Sequence, residues 1–491
     1  MKNRIFPKEW KEIHPGHAAM STDFYYSQLA SRVLAVLEND DIGIILDESA
    51  WVRDAAVRIT AWFEDLCNGT GLWNVVNTVC RSRYNRLLPF YDTSNYYPGE
   101  PNLQDIQLLL WDIMQSRYSD RIINPENASI AKVANDLLCI FDEEYETAPE
   151  TDEMIAFLTN PSLENDYWQA RQVMEWFALD SFLSLRTLIS FEESKPDRMD
   201  EEYAAIKAYH SKLTHSFFDR KNLLSLTSSE WLSAATGHKM TLDGTLRQGR
   251  AYNVVSCNEE TVVLRDILNG NEVSVQVDSF EPHWKKQHLP TAKTLICHIV
   301  GFDGKNYHFG AMFTNPNEEY LEEYRETMAD EERQKDNIKY TAELFLKASQ
   351  GKPIVFVKGI DEFIDFQTNR MNSKVTEQFR KEMQRHLRQN AENEMAAFIS
   401  DPKCGMLTIT RAIPAIKAPN NPYYDKEYAQ KNALSLIVDP DVIDYSALCT
   451  LLDNNYLPDA AFVSSNGYIN GHELVQQNSQ YMADYFFSEH R

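Results

Sequence analysis

The sequence has no C-x-x-C pair and no cysteine–histidine spacing of a zinc site; its seven cysteines (Cys67, Cys80, Cys139, Cys257, Cys297, Cys404 and Cys449) are scattered and odd in number. That distribution argues against a disulfide framework and points to free thiols, a reduced compartment and no bound metal. The phosphate-binding GxxxxGK[ST] is missing, as are GxGxxG, HExxH and GxSxG, which removes the enzyme classes that are easiest to read, though not enzymes as such. No cofactor is expected. No uncharged run approaches the roughly 18 residues of a membrane helix. The opening "MKNRIFPKEWKEIHPGH" carries charges throughout, unlike a signal peptide. The expectation is a cytoplasmic protein without membrane contact.

Basic residues are also scarce. Lys and Arg number 48 against 73 Asp and Glu, a formal net charge of -25. A field of that sign repels phosphate backbones, so duplex nucleic acid is not an expected partner.

What is present is enough apolar material for several cores. The chain has 491 residues, 43% hydrophobic and 12% aromatic, too long for a single core. The expected fold is multidomain and mainly α. A helical domain spans 1–238, a small five-stranded β-barrel-like module spans 239–315, and an α+β C-terminal region spans 316–491. Eight of the nine tryptophans precede residue 232, which places the largest core in the first region. There "SAWVRDAAVRITAWFEDLCNGTG" repeats apolar residues at Val52, Ala55, Ala56, Ile59, Trp62 and Phe63, the spacing of one helical face. The stretch 167–191 is apolar nearly all round and predicts one buried helix, with Asp180 interrupting it.

Past Gly244 the period becomes alternating. Asn269-Gly270 predicts a two-residue hairpin turn that sets Leu264 opposite Val275 and Val262 opposite Val277. Asp303-Gly304 predicts a second hairpin, with His298 opposite Phe309 and His308 opposite Ile299. The two histidines then face opposite sides of the sheet and cannot share an ion. Cys297 and His308 fall diagonally on one face, where a nucleophile pair competes with inert packing. Residues 244–315 hold seven basic and seven acidic side chains, a neutral module in an acidic chain. The loop "DSFEPHWKKQHLP" adds Trp284, Lys285 and Lys286, an aromatic-plus-cation surface of the kind used in binding contacts. In the last third, a long charged helix precedes two strands, "KPIVFVKG" and "CGMLTITRAI", with a helix over 375–399 between them.

The stretch "LLPFYDTSNYYPGEPNLQDIQLLLWD" (87–112) has two readings. One is a rigid corner, with Asn102 opening the next helix, Asp105 completing a capping box, and tyrosines half buried with their hydroxyls in water. The other is a pocket lined by Tyr91, Asp92, Tyr96 and Glu100, facing Arg81, Arg83 and Arg86.

The motifs "WFEDLCNGTGLW", "LLPFY", "DIQLLLWDIMQ", "IINPEN", "FDEEYETAPE", "NNPYYDKEYAQKNA" and "ELVQQNSQYMADYFF" resemble an uncharacterised family of long, mostly helical bacterial proteins. The resemblance covers most of the chain and implies no activity or catalytic residue. Function therefore rests on the residues. The first expectation is a binding or regulatory scaffold recognising a protein or small ligand. The rivals are a hydrolase using carboxylates of the helical domain, and single-stranded nucleic-acid binding by the β module at Trp284, Lys285 and Lys286.

Overall fold

A computed structural model describes residues 4–39, 49–118, 122–159, 166–186, 220–242, 250–287, 289–432, 434–458 and 471–488. The chain divides into two compact units, Met1–Glu322 and Glu323–Arg491. The helical segment and the β module thus share the first unit, and the boundary expected near 316 falls slightly later.

In the first unit, α1 (Asp23–Glu38) packs against α2 (Ser49–Asn68). Next come α3 (Leu72–Tyr84), α4 (Leu103–Arg117), α5 (Ala128–Tyr145), α6 (Tyr167–Leu179) and α7 (Ser228–Thr236). Trp10, Trp62, Trp73 and Trp111 are fully buried between them, in line with the tryptophan bias of this region. The expected single helix over 167–191 stops at Leu179. Asp180 does not interrupt it; it is the residue that ends it. Ser181 donates its backbone N–H to the Trp176 carbonyl, and the Ser184 hydroxyl donates to the Leu179 and Ser181 carbonyls. Serines that capture carbonyls in this way compete with helix continuation. Thr187 and the residues up to 191 lie outside the described residues.

The β module is a mixed six-stranded sheet, one strand more than expected. Its strands are β1 (Thr241–Leu242), β2 (Arg250–Cys257), β3 (Thr261–Asp266), β4 (Glu272–Gln276), β5 (Thr294–Phe302) and β6 (Lys305–Thr314). All pairings are antiparallel except a short parallel one between β4 and β6, where Val275 meets Asn306 and Gln276 meets Tyr307. The β5–β6 register matches expectation, with His298 opposite Phe309 and Ile299 opposite His308. The β3–β4 register does not: Val262 faces Val275 and Leu264 faces Val273. Asp266 causes the shift. Its carboxylate accepts the Leu268 backbone N–H at 2.8 Å, and its carbonyl accepts that of Gly270. The Asx turn lengthens the loop to four residues, 267–270, and moves the register by two, so the apolar face is kept. Between β4 and β5 lies a short helix, α8 (Pro282–Gln287), and Phe280 and Leu289 on either side of it enter the module core with Val262, Leu264 and Val275.

The second unit begins within α9 (Glu318–Ala348), a 31-residue helix whose stretch 325–340 is exposed on nearly every side. The strands β7 (Ile354–Lys358), β8 (Met395–Asp401) and β9 (Gly405–Ile409) form an antiparallel sheet in that order. The helix expected over 375–399 is shorter, α10 (Glu377–Asn390), and the chain then enters β8. Ala396 and Phe398 pack on one face of this central strand with Phe345, Phe363 and Leu387; Met395, Ala397 and Ile399 pack on the other with Ile409, Leu448 and Phe487. A strand buried on both faces loses the alternation that would mark it in a sequence.

Candidate functional site

In the first unit, three chain segments line a half-open cleft of about 420 Å³. The helix α2 contributes Ala50, Arg53, Asp54, Val57 and Arg58, whose spacing puts them on one helical face. The end of α6 contributes Leu179 and Asp180, and the N-terminal turns contribute Glu9, Glu12, Ile13 and His17. Trp176 of α6 donates its indole N–H to the Ile13 carbonyl at 2.9 Å, fixing these turns to the helix. Ile13, Val57 and Leu179 are buried and form the apolar part of the lining.

The charges around the opening are already organised. Arg53 binds Glu9, with Nη2 2.7 Å from Oε2, and donates to the Arg4 carbonyl at 2.8 Å. Arg58, buried, donates Nε to Asp54 at 2.7 Å and Nη1 to the Ser181 carbonyl at 2.9 Å and the Ser184 hydroxyl at 3.2 Å. His17 lies between two carboxylates, Nδ1 2.9 Å from Glu12 and Nε2 3.6 Å from Asp180. Its φ is +54°, a left-handed conformation uncommon for a side chain of its size. Behind the cleft, His14 is wholly buried, with Nε2 3.0 Å from Glu64 and Nδ1 3.4 Å from Asp23. Burial alone would lower its pKa, but the bond to Glu64 and the charges of Glu64 and Asp23 hold it above the ordinary value.

Residues 4–271 and 290–488 match the family described as "Protein of unknown function (DUF3843)". The chain belongs to that family. No curated protein matches the chain, and no solved structure does. The DUF3843 match takes in every residue of the cleft. It omits 272–289, the stretch that carries β4, Trp284, Lys285 and Lys286.

The candidates of the 87–112 stretch do not come together. Tyr91 and Tyr96 are buried, not half exposed: Tyr91 donates its hydroxyl to the Pro125 carbonyl at 2.8 Å, and Tyr96 to the Asn77 side-chain oxygen at 3.1 Å. Asp92 and Glu100 point to solvent, and Asp92 accepts from the Ser94 backbone N–H and hydroxyl. Two residues turn inward and two outward. Of the arginines expected to face the loop, Arg83 approaches Glu230 of α7, whereas Arg86 is close enough to Asp92 for their charges to interact. The capping box is also not formed. The Asn102 side chain is used by the loop, accepting the Tyr97 backbone N–H and donating to the Tyr97 and Glu100 carbonyls.

The buried carboxylates serve separate ends. Glu64 holds His14, while its neighbour Asp65 accepts the backbone N–H groups of Leu72 and Trp73 at the start of α3. Burial pushes Asp65 up to about 6 against those bonds. Asp105 is fully buried, and among the described residues its Oδ1 has no hydrogen-bond partner. Burial pushes it up to about 7, with Trp73, Tyr96 and Asn102 pulling it back. None of the three lines the cleft.

In the β module, Lys285 is ion-paired to Asp278 at 2.7 Å and Lys286 is exposed. The side chains of His283 and Trp284, and the whole of His288, lie outside the described residues. Cys297 is buried, and burial pushes its thiol up to about 12. His308 faces inward, stacked on Phe280 with ring centroids 4.7 Å apart. Among the described residues no three His, Cys, Asp or Glu side chains are placed to hold a metal ion, and no helix is long and apolar enough to cross a membrane.

Sequence reasoning singled out Asp180 for interrupting an apolar run, and it missed the other cleft residues. Their one legible signal was the mixed polar face 50, 53, 54, 57, 58, opposite the apolar stripe of the same helix.

Proposed function

We propose that the protein is a binding protein, and that the cleft between the N-terminal turns, α2 and the end of α6 is its ligand site. The observation that carries this reading is a half-open cleft with an apolar floor of Ile13, Val57 and Leu179 and pre-paired charged groups around it. This is the usual make-up of a small-ligand site, where a few fixed polar groups orient a mostly apolar contact. The hydrolase reading draws less support. Asp65 and Glu64 are each committed to a structural partner, and among the described residues the pair that does converge, Asp23 and Glu64, closes on the wholly buried His14. The test is a ligand-observed NMR screen of small polar compounds against the wild type and Ala50→Trp, a change at the exposed rim that fills the opening. Compounds that bind the wild type and are lost in the variant support the reading. A screen whose every hit ignores the substitution sinks it.

One observation favours nucleic acid as a second reading for the β module. Its pairings run β2-β3-β4-β6-β5 and return to β2, the strand order of the five-stranded barrels that bind oligonucleotides and oligosaccharides, with the segment carrying α8 closing one end. The outer face of β3 and β4 offers Val263, Arg265, Glu272 and Ser274 and no aromatic ring for bases to stack on. Fluorescence anisotropy with a labelled oligo-dT decides this. Salt-sensitive submicromolar binding would promote the second reading over the first.

A further inference from the structure

We propose that the ligand of this cleft carries a positive charge, an ammonium or guanidinium group on a short apolar body, seated between Glu12 and Asp180 where the His17 ring now lies. The inference rests on the reading of the cleft as a ligand site and names the class of ligand it would take.

Among the described residues of the lining, four carboxylates, Glu9, Glu12, Asp54 and Asp180, stand against the two guanidiniums of Arg53 and Arg58. Both arginines are committed. Arg53 is bound to Glu9 and to a backbone carbonyl. Arg58 is buried and donates to Asp54, Ser181 and Ser184. An anionic ligand would meet guanidiniums already neutralised by Glu9 and Asp54, with two further carboxylates in the same lining. Among the described residues, the other two carboxylates, Glu12 and Asp180, flank the two ring nitrogens of His17.

His17 is also the group that can yield. Its side chain is 45% exposed and is held by two ring-nitrogen contacts, one of them 3.6 Å long. A ligand cation can take over both carboxylates while the imidazole moves into water. The exchange replaces one cation-capable group by a permanent one in the same place. The apolar body would then lie on Ile13, Val57 and Leu179, and the negative field of the whole chain would raise the local concentration of cations over anions. A bare metal ion fits less well. Glu12 and Asp180 sit on opposite ring nitrogens of His17 and do not aim at one point with it, whereas an organic cation with several N–H donors can bridge separated acceptors.

The test uses three probes with one body and three charges: 4-phenylbutylamine, 4-phenylbutanol and 4-phenylbutyrate. Their Kd values are measured by calorimetry and ligand-observed NMR on the full chain. The variants are Glu12→Gln, Glu12→Gln with Asp180→Asn, and Ala50→Trp, each checked for an unchanged circular dichroism spectrum. The expected result is that the amine binds at least tenfold tighter than the alcohol or the carboxylate. Its affinity should fall about threefold or more in Glu12→Gln and at least tenfold in the double variant, and be abolished by Ala50→Trp. Should the double variant fail to fold, the single one still decides. If all three probes bind alike and are blocked by Ala50→Trp, the cleft is a ligand site and the charge assignment is overturned. If no probe binds, or none responds to Ala50→Trp, the ligand-site reading falls and takes this inference with it.

Discussion

Tyr167 of α6 lies flat on Tyr307 of β6, ring centroids 4.4 Å apart and planes within 4°. The same tyrosine donates its hydroxyl to the His308 carbonyl at 2.6 Å, its neighbour Trp168 donates its indole N–H to the Asp278 carbonyl, and Arg171 covers Phe309. A helix from the tryptophan-rich core thus clamps the β module along one strand and the segment after β4. Tyr167→Ala should cost about 3 kcal/mol in urea unfolding, the range for truncating a buried aromatic. Tyr167→Phe, which keeps the stack, should cost about 1 kcal/mol. Amide exchange in β5 and β6 should quicken in the alanine variant. Unchanged exchange there would mean that the module stands without the clamp.

Asp105 gives a pH signature. Its carboxyl is pushed up to about 7 in the fold, whereas an unfolded aspartate titrates near 3.9. The native state therefore holds this proton more tightly. The group's contribution is fully present below pH about 4 and is lost as pH rises through about 7. Asp65, at about 6, acts in the same sense. Asp105→Asn should remove the decline, so the stability difference between wild type and variant should shift in the variant's favour from pH 4 to pH 8. Urea midpoints at both pH values measure it, and a difference that stays constant would show an unperturbed carboxylate.

Three cysteines, Cys139, Cys257 and Cys404, are exposed, yet they should not react alike. Partial burial and then the charge and hydrogen bond of Asp401, 3.0 Å from the sulfur, push the Cys404 thiol up to about 12. A thiol that stays protonated is a poor nucleophile. Native iodoacetamide labelling at pH 8, read by peptide mass spectrometry, should modify Cys139 and Cys257 first, with Cys404 at least tenfold slower. Cys80 and Cys297 should be labelled only after unfolding. Fast labelling of Cys404 would contradict the assignment.

Gly405, at the turn between β8 and β9, has φ +82°, and a Cβ there would stand 2.6 Å from the Ile338 carbonyl oxygen and 2.9 Å from the Ala342 nitrogen. Both obstacles are helix backbone, which cannot step aside as a side chain can. Gly405→Ala should destabilise the second unit by about 2 kcal/mol or more, from backbone strain plus overpacking. A differential scanning trace with an unchanged profile would show that the helix yields after all.

Local signals carried well from sequence to structure. The helix from Ser49, the Asp303-Gly304 hairpin with its histidines on opposite faces, and the long charged helix all depend on neighbours a few residues apart. The losses came where distant residues or competing local bonds decide. β8 read as helix because Met395, Ala396 and Ala397 suit a helix and both faces of the strand are apolar. The Asn269-Gly270 turn was displaced by one aspartate three residues upstream of the pair. Tyr91 and Tyr96 looked amphipathic, but Pro125 and Asn77, supplied by other segments, accept their hydroxyls inside. The cleft joins residues near 9–17, 50–58 and 180, and no window of sequence contains it.

The helix Glu318–Ala348 has ten acidic and five basic residues, and between 325 and 340 few side chains find a core. Its middle turns are held mainly by their own backbone ladder and local pairs such as Arg333–Asp330, against net self-repulsion. Amide exchange there should follow a local helix–coil balance that tightens as the carboxylates are neutralised, while the flanking cores keep the slow exchange of global opening.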